Sequence, residues 1–232
     1  MGPPQGKPNG FDNLGRLETG KRPALAAAIL AGGRARRLGG INKAAMEIGG
    51  AAIVDRQLAA LRSVTGDVFV VGHPDPLWTA RALRVVADEV ADAGPLGGIY
   101  TALLHSPADR TLVVACDMPF IAADVLERLA AVADAEVVVA RSARGIEPLC
   151  AIYSRACVTG IRERIARGEY TASTIPAGFR VAEVGVERAL VFVNVNTPHD
   201  YERAKGLIER QLQPEEDRIT TGRDGPMTDT DS

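Results

Sequence analysis

Apolar residues in this chain come in short, unbroken runs, separated by stretches in which they recur every three or four positions. The first run is 24–30 (ALAAAIL), ending just before a glycine pair. Others follow at 67–71 (DVFVV), 84–87 (RVVA), 111–115 (TLVVA) and 136–140 (EVVVA). A strand covered on one face alternates apolar and polar residues, whereas one covered on both faces is apolar throughout. These runs therefore predict buried, mainly parallel strands. Between them, Ile53, Leu58, Leu61 and Val64 fall near one side of a helical wheel, which predicts an amphipathic helix over 52–64. Helices are likewise predicted over 96–105 and 123–132. The second half is less regular, with an apolar segment at 148–153, a helix near 155–167, a strand near 190–193 and a last helix over 200–212. Alternation of this kind predicts an α/β fold: a three-layer sandwich whose Rossmann-like, mainly parallel sheet carries helices on both faces.

The pattern starts near residue 23 and stops near 212. Residues 1–22 are rich in Gly, Pro and Asn, and 213–232 are acidic and polar. Neither segment has the apolar surface to offset its ordering entropy, so the sequence predicts one domain, 23–212, between a disordered N-terminal tail and a disordered acidic C-terminal tail.

Composition narrows the function classes. Aromatics make up 4% of the chain and the formal net charge is −2, so neither stacking platforms nor a basic patch for nucleic acid is expected. Cys116, Cys150 and Cys157 form no C-x-x-C pair, and His73, His105 and His199 are scattered, which argues against disulfide staples and zinc. No apolar run approaches the roughly 20 residues that cross a bilayer, and the N-terminus lacks an apolar leader. A cytoplasmic protein without a membrane partner is the expectation.

The densest chemistry follows the first strand: Leu30-Ala31-Gly32-Gly33, then Arg37-Leu-Gly-Gly40 and Lys43. Glycines let backbone N–H groups approach an anion closely, and Arg37 and Lys43 add positive charge beside them. Lys serves well as a point charge on phosphate. The spacing is neither G-x-G-x-x-G nor that of a P-loop. Asp117, directly after the 111–115 run, is a hard carboxylate at a strand end, where it suits Mg²⁺ held by few protein ligands plus phosphate oxygens. Capping of the next helix is the alternative role.

Taken with four later segments, this loop resembles the signature of the molybdenum cofactor guanylyltransferases, within the Gly-rich-loop nucleotidyltransferases. The segments are Gly94-Pro-Leu-Gly-Gly98, Cys116-Asp-Met-Pro119, Glu147-Pro-Leu149 and Asn194-Val-Asn-Thr-Pro198, and Asp88 ends the third strand. Two positions depart from the pattern. Asn42 precedes the lysine where many relatives have Asp, and Val71-Gly72-His73 stands where many have Asn. The resemblance implies that Leu30, Ala31, Gly32, Gly33, Lys43, Asp88 and Asp117 bind the nucleotide, that Asp117 holds Mg²⁺, and that Asp117, Lys43 and Arg37 serve catalysis. It places the acceptor in the second half, near Glu147, Arg141, Arg144 and 168–178. Asn194 and Asn196 either complete the metal or acceptor site or, for Asn196, cap the last helix.

The implied reaction transfers GMP from GTP to molybdenum–molybdopterin, with transient contacts to proteins that deliver or accept the cofactor. Leu30-Ala-Gly-Gly33 resembles the guanylyl branch, since the cytidylyl branch usually reads L-A-A-G. A cytidylyltransferase, a sugar-phosphate nucleotidyltransferase and a GTP-sensing regulator are the competing readings. The sugar enzymes generally place Pro before the lysine, where this chain has Asn42.

Overall fold

The computed structural model describes residues 24–32, 37–38, 41–174 and 177–212. Both tails lie outside the described residues. In chain order the elements are β1 (Leu25–Ala31), a small hairpin of β2 (Arg37–Leu38) and β3 (Ile41–Asn42), a second hairpin of β4 (Glu47–Ile48) and β5 (Ala51–Ala52), and α1 (Ile53–Leu61). Then come β6 (Val68–Gly72), α2 (Pro76–Thr79), β7 (Arg84–Val86), α3 (Gly94–His105), β8 (Arg110–Ala115) and α4 (Ala123–Ala131). The remainder is β9 (Val137–Ser142), β10 (Gly145–Ser154), α5 (Val158–Ala166), β11 (Val181–Gly185) and α6 (Pro198–Leu212).

Seven strands form one sheet in the order β11-β9-β10-β8-β1-β6-β7. The pairs β1–β6, β1–β8, β6–β7 and β9–β11 are parallel; only β10 runs against its neighbours β8 and β9. The predicted α/β sandwich is what forms. Every residue of β8 is buried, because α3 covers one face of the sheet and α4 the other, and its apolar run is the sequence record of that double cover. The two faces support separate clusters, one including Ile29, Leu61, Leu112 and Leu126, the other Phe69, Leu96, Val113 and Ile161.

Two expectations shift, and one strand is added. The 190–193 segment is not a strand: Ala189–Phe192 forms a 3₁₀ turn, with Val191 and Phe192 buried by packing instead of by strand pairing. The helix near 155–167 divides into a 3₁₀ turn, Arg155–Cys157, capped by the Ser154 side chain, and α5. The edge strand β11 carries no unbroken apolar run, since its sequence VAEVG is short, interrupted by a charge and paired on one side only.

Connectivity sets the position of the site. From β1 the chain steps outward through β6 to β7, then crosses back to place β8 on the other flank of β1. Ligands in open α/β sheets sit beyond the carboxyl ends of strands at such a reversal. The crevice is thus bounded by the residues after Ala31 and those after Ala115.

Gly72, the departure at the end of β6, has a packing reason. Its φ is +152°, and a Cβ there would lie 2.9 Å from the carbonyl carbon and oxygen of Ala31. Backbone cannot move aside as a side-chain tip can. Gly72→Ala should therefore cost about 1–3 kcal/mol, in line with other overpacked sites. A urea midpoint equal to wild type would show that the β1–β6 contact yields freely.

Candidate active site

On the β1 side of the crevice, Leu30 is half-buried, Ala31 is buried, and Gly32 follows. A Cβ on Gly32 would lie 2.9 Å from Oδ2 of Asp88, so the missing side chain is what admits this carboxylate to the strand end. Asp88 caps no helix here, because α3 begins at Gly94 with Ala93 as its N-cap residue. Of the glycines in the 94–98 segment, Gly98 is the one that lets α3 lie close on β1, since a Cβ there would be 3.1 Å from Leu30 Cδ1. The Leu96 amide at the start of α3 donates to the Tyr170 carbonyl at 3.4 Å, bringing the 168–174 segment to the same edge of the sheet. Gly33, Gly39 and Gly40 lie outside the described residues, as does the side chain of Arg37.

Lys43 is a buried residue, 3% exposed, instead of a solvated loop lysine. It opens the one-turn 3₁₀ helix Lys43–Ala45, whose N-cap Asn42 accepts from the Ala44 amide at 3.1 Å. Asn42 also donates through Nδ2 to Asp75 Oδ2 at 3.2 Å. An aspartate at 42 could cap the turn but could not donate to Asp75, which gives this departure a local reason. The Lys43 ammonium donates to Asn196 Oδ1 at 2.8 Å.

Asp117 stands in the turn after β8. That turn is braced from below by Gln57 of α1, fully buried, whose amide donates to the carbonyls of Ala115 at 2.7 Å and Met118 at 3.1 Å. Asp117 caps no helix either: α4 starts six residues on, at Ala123, after Ala122. The Val195 amide donates to the Asp117 carbonyl at 2.9 Å, which pins the 194–196 segment against the strand end. Burial pushes the Asp117 carboxyl above its usual acidity range, while the Lys43 charge, a backbone amide and the Asn196 side chain pull the other way. Its Oδ1 is buried with no hydrogen-bond partner. A carboxylate drawn out of water with one oxygen left unsatisfied fits a bound cation. Among the described residues no three His, Cys, Asp or Glu side chains group together to form a metal cage. One carboxylate at a phosphate site is the arrangement Mg²⁺ accepts, completing its shell with phosphate oxygens and water.

Asn196 is not the cap of α6. Thr197 is, its Oγ1 accepting from the Asp200 amide at 3.1 Å, while Asp200 Oδ2 accepts from the amides of Thr197 and Asn196 at 2.8 and 3.0 Å. This reciprocal box, with Pro198 as the first helical residue, fixes the Asn196 backbone and leaves its side chain for Lys43. Asn194 is exposed. Glu147 lies on β10, where Ser142 Oγ donates to it at 2.7 Å. Arg141 pairs with Glu183 of the edge strand β11, and Arg144 donates to the Phe192 carbonyl at 2.7 Å. The structure thus gathers Lys43, Asp117 and Asn196 at one point, with Gly32 and Asp88 beside each other at the end of β1; Glu147 and Arg141 are held by other partners. Cys116 is no nucleophile, because burial, with the neighbouring Asp117 charge, pushes its thiol up to about 12.

Sequence reasoning missed Gln57. The available signal was a polar residue next to Leu58 on the apolar side of an amphipathic helix, where burial requires hydrogen-bond partners.

Known proteins resemble this chain over most of its length. The model of the MobA-like NTP transferase domain matches residues 27–178. A probable molybdenum cofactor guanylyltransferase of Pelotomaculum thermopropionicum is 36% identical over 189 residues, 78% of this chain and 92% of that protein. A molybdenum cofactor guanylyltransferase of Desulfosudis oleivorans is 32% identical over 196 residues, 80% of this chain and 96% of the relative. Among solved structures, the molybdopterin-guanine dinucleotide biosynthesis protein A of Archaeoglobus fulgidus superposes with a TM-score of 0.66 at 24% identity, covering 80% of this chain and 99% of that one, a likeness of fold.

Proposed function

The chain belongs to the MobA-like NTP transferase domain family and is a nucleotidyltransferase, and from that premise we propose that it transfers GMP from GTP to the phosphate of molybdenum–molybdopterin, forming the guanine dinucleotide form of the cofactor and releasing pyrophosphate. The observation that carries the reading is the meeting of Lys43, Asn196 and Asp117 at the carboxyl ends of β1 and β8.

An oxygen of the acceptor phosphate attacks the α-phosphorus of GTP; the bond from that phosphorus to the bridging oxygen breaks, and pyrophosphate carries the electron pair away. The reaction needs no covalent intermediate. It needs two anions held in line and a place for charge that grows on the leaving group. Lys43, with one ammonium proton on Asn196, has two left for phosphate oxygens. The glycines after Ala31, with Arg37 on the same loop, supply the remaining anion contacts. Asp117 would hold Mg²⁺, which when bound neutralises phosphate charge. Asp88, beside Gly32, would be a further contact of the nucleotide.

The partners in this reading are small molecules, with transient docking of proteins that supply or take the cofactor; among the described residues no helix is long and apolar enough to cross a membrane. Base choice is tested by offering GTP and CTP under the same Mg²⁺ and acceptor. GTP should be used well and CTP poorly. A preference for CTP would move the chain to the cytidylyl branch while leaving the phosphoryl chemistry intact.

A further inference from the structure

The Lys43 ammonium and the Asp117 carboxylate occupy the same small crevice, yet they make no ion pair within 4 Å; among the described residues the hydrogen-bond partner of Lys43 Nζ is the neutral amide of Asn196. Two opposite charges that close, both withdrawn from water, attract strongly, because low dielectric magnifies their interaction. Something must hold them apart. Asn196 is tied down on both sides: Val195 donates its amide to the Asp117 carbonyl at 2.9 Å, and the Asn196 amide nitrogen is held by Asp200 at 3.0 Å. The backbone at 195–196 is therefore anchored to the turn that presents Asp117 and to the cap of α6 at once.

We propose that Asn196 is a positioning residue that spaces the two charged groups of the site, accepting from Lys43 through Oδ1 and offering its amide protons toward Asp117, so that Lys43 stays available to phosphate and Asp117 to a divalent cation. This rests on the reading of Asp117 as the cation ligand. An amide suits the place because one end accepts from an ammonium while the other donates to a carboxylate. The Val195 amide on the Asp117 carbonyl keeps Asn196 next to that carboxylate, where such a donor is needed. The unpartnered Oδ1 of Asp117 is the oxygen left for the cation. Without the spacer, Lys43 and Asp117 collapse into a direct ion pair that each ligand must break before it binds.

The test is a double-mutant cycle read by Mn²⁺ binding to the nucleotide-free full chain, measured by electron paramagnetic resonance of the free ion. Asp117→Asn is the control for the underlying reading: if it leaves Mn²⁺ binding unchanged, Asp117 is not the ligand, whatever Asn196 does. Asn196→Ala should weaken Mn²⁺ binding roughly tenfold, equivalent to about 1.4 kcal/mol. Asn196→Ser, too short to reach both groups, should behave the same way if the alanine variant folds poorly. Removing Lys43 relieves a positive charge near the cation in any background, so the decisive quantity is the difference between backgrounds. Lys43→Ala should improve Mn²⁺ binding by a larger factor in the Asn196→Ala protein than in wild type, because only there is Lys43 paired directly with Asp117. Equal factors would mean that Asn196 merely ligates the ion or supports the fold, and would overturn the spacer role.

Discussion

Asp117→Asn should lower nucleotidyl transfer by orders of magnitude while leaving the fold intact. The substitution keeps the size of the side chain and its capacity for hydrogen bonding but removes the charge that suits a cation. Stabilisation of transition-state charge by a bound metal amounts to several kcal/mol, and each step of about 1.4 kcal/mol is tenfold in rate. A helix-capping role predicts survival of both rate and stability, since Asn caps about as well as Asp. The structure already disfavours that role, because α4 begins at Ala123 behind a different residue. GTP should still bind through the glycine loop, Arg37 and Lys43. Single-turnover assays across a Mg²⁺ titration read the effect; near wild-type transfer with unchanged Mg²⁺ dependence would remove Asp117 from the site.

Lys43→Ala should weaken both triphosphate affinity and turnover. A charge-assisted contact contributes about 1.5–3 kcal/mol, which is roughly a 10- to 150-fold effect. As an exposed loop residue, Lys43 would have had little packing to lose. Its burial changes that expectation: the alanine variant also loses the packed aliphatic stem and the bond to Asn196, so a fall in thermal midpoint should accompany the kinetic loss. Lys43→Met keeps most of the stem and isolates the charge. It should reproduce the loss of affinity with a smaller loss of stability. An unaltered rate in either variant would exclude Lys43 from phosphate binding.

What the sequence displays, and what it hides, follows from how far apart the interacting residues lie. Strands covered on both faces, such as β8, announce themselves as unbroken apolar runs, and α1 and α4 as apolar stripes, because each pattern is local. The glycines after Ala31 and the carboxylate after Ala115 are likewise read from short segments at strand ends. The bond between Lys43 and Asn196 spans 153 positions and depends on β1 and β8 being neighbours, which no local pattern encodes. Gln57 bracing the Asp117 turn is hidden for the same reason. The 189–192 segment misleads because its apolar residues are buried as a strand's would be, yet their backbone makes a turn. Thr197 and Asp200 form a capping signature that was open to view; it displaces Asn196 from the cap and turns it toward the site.

The proposed reaction is transfer of an intact GMP unit to a molybdopterin phosphate. GTP labelled at the α-phosphate, incubated with the full chain, Mg²⁺ and molybdenum-loaded molybdopterin, tests it directly. The label should move onto the pterin product, with one pyrophosphate released for each GMP transferred and no transfer when the acceptor is left out. Label remaining in GTP, or release of inorganic phosphate in place of pyrophosphate, would contradict the account.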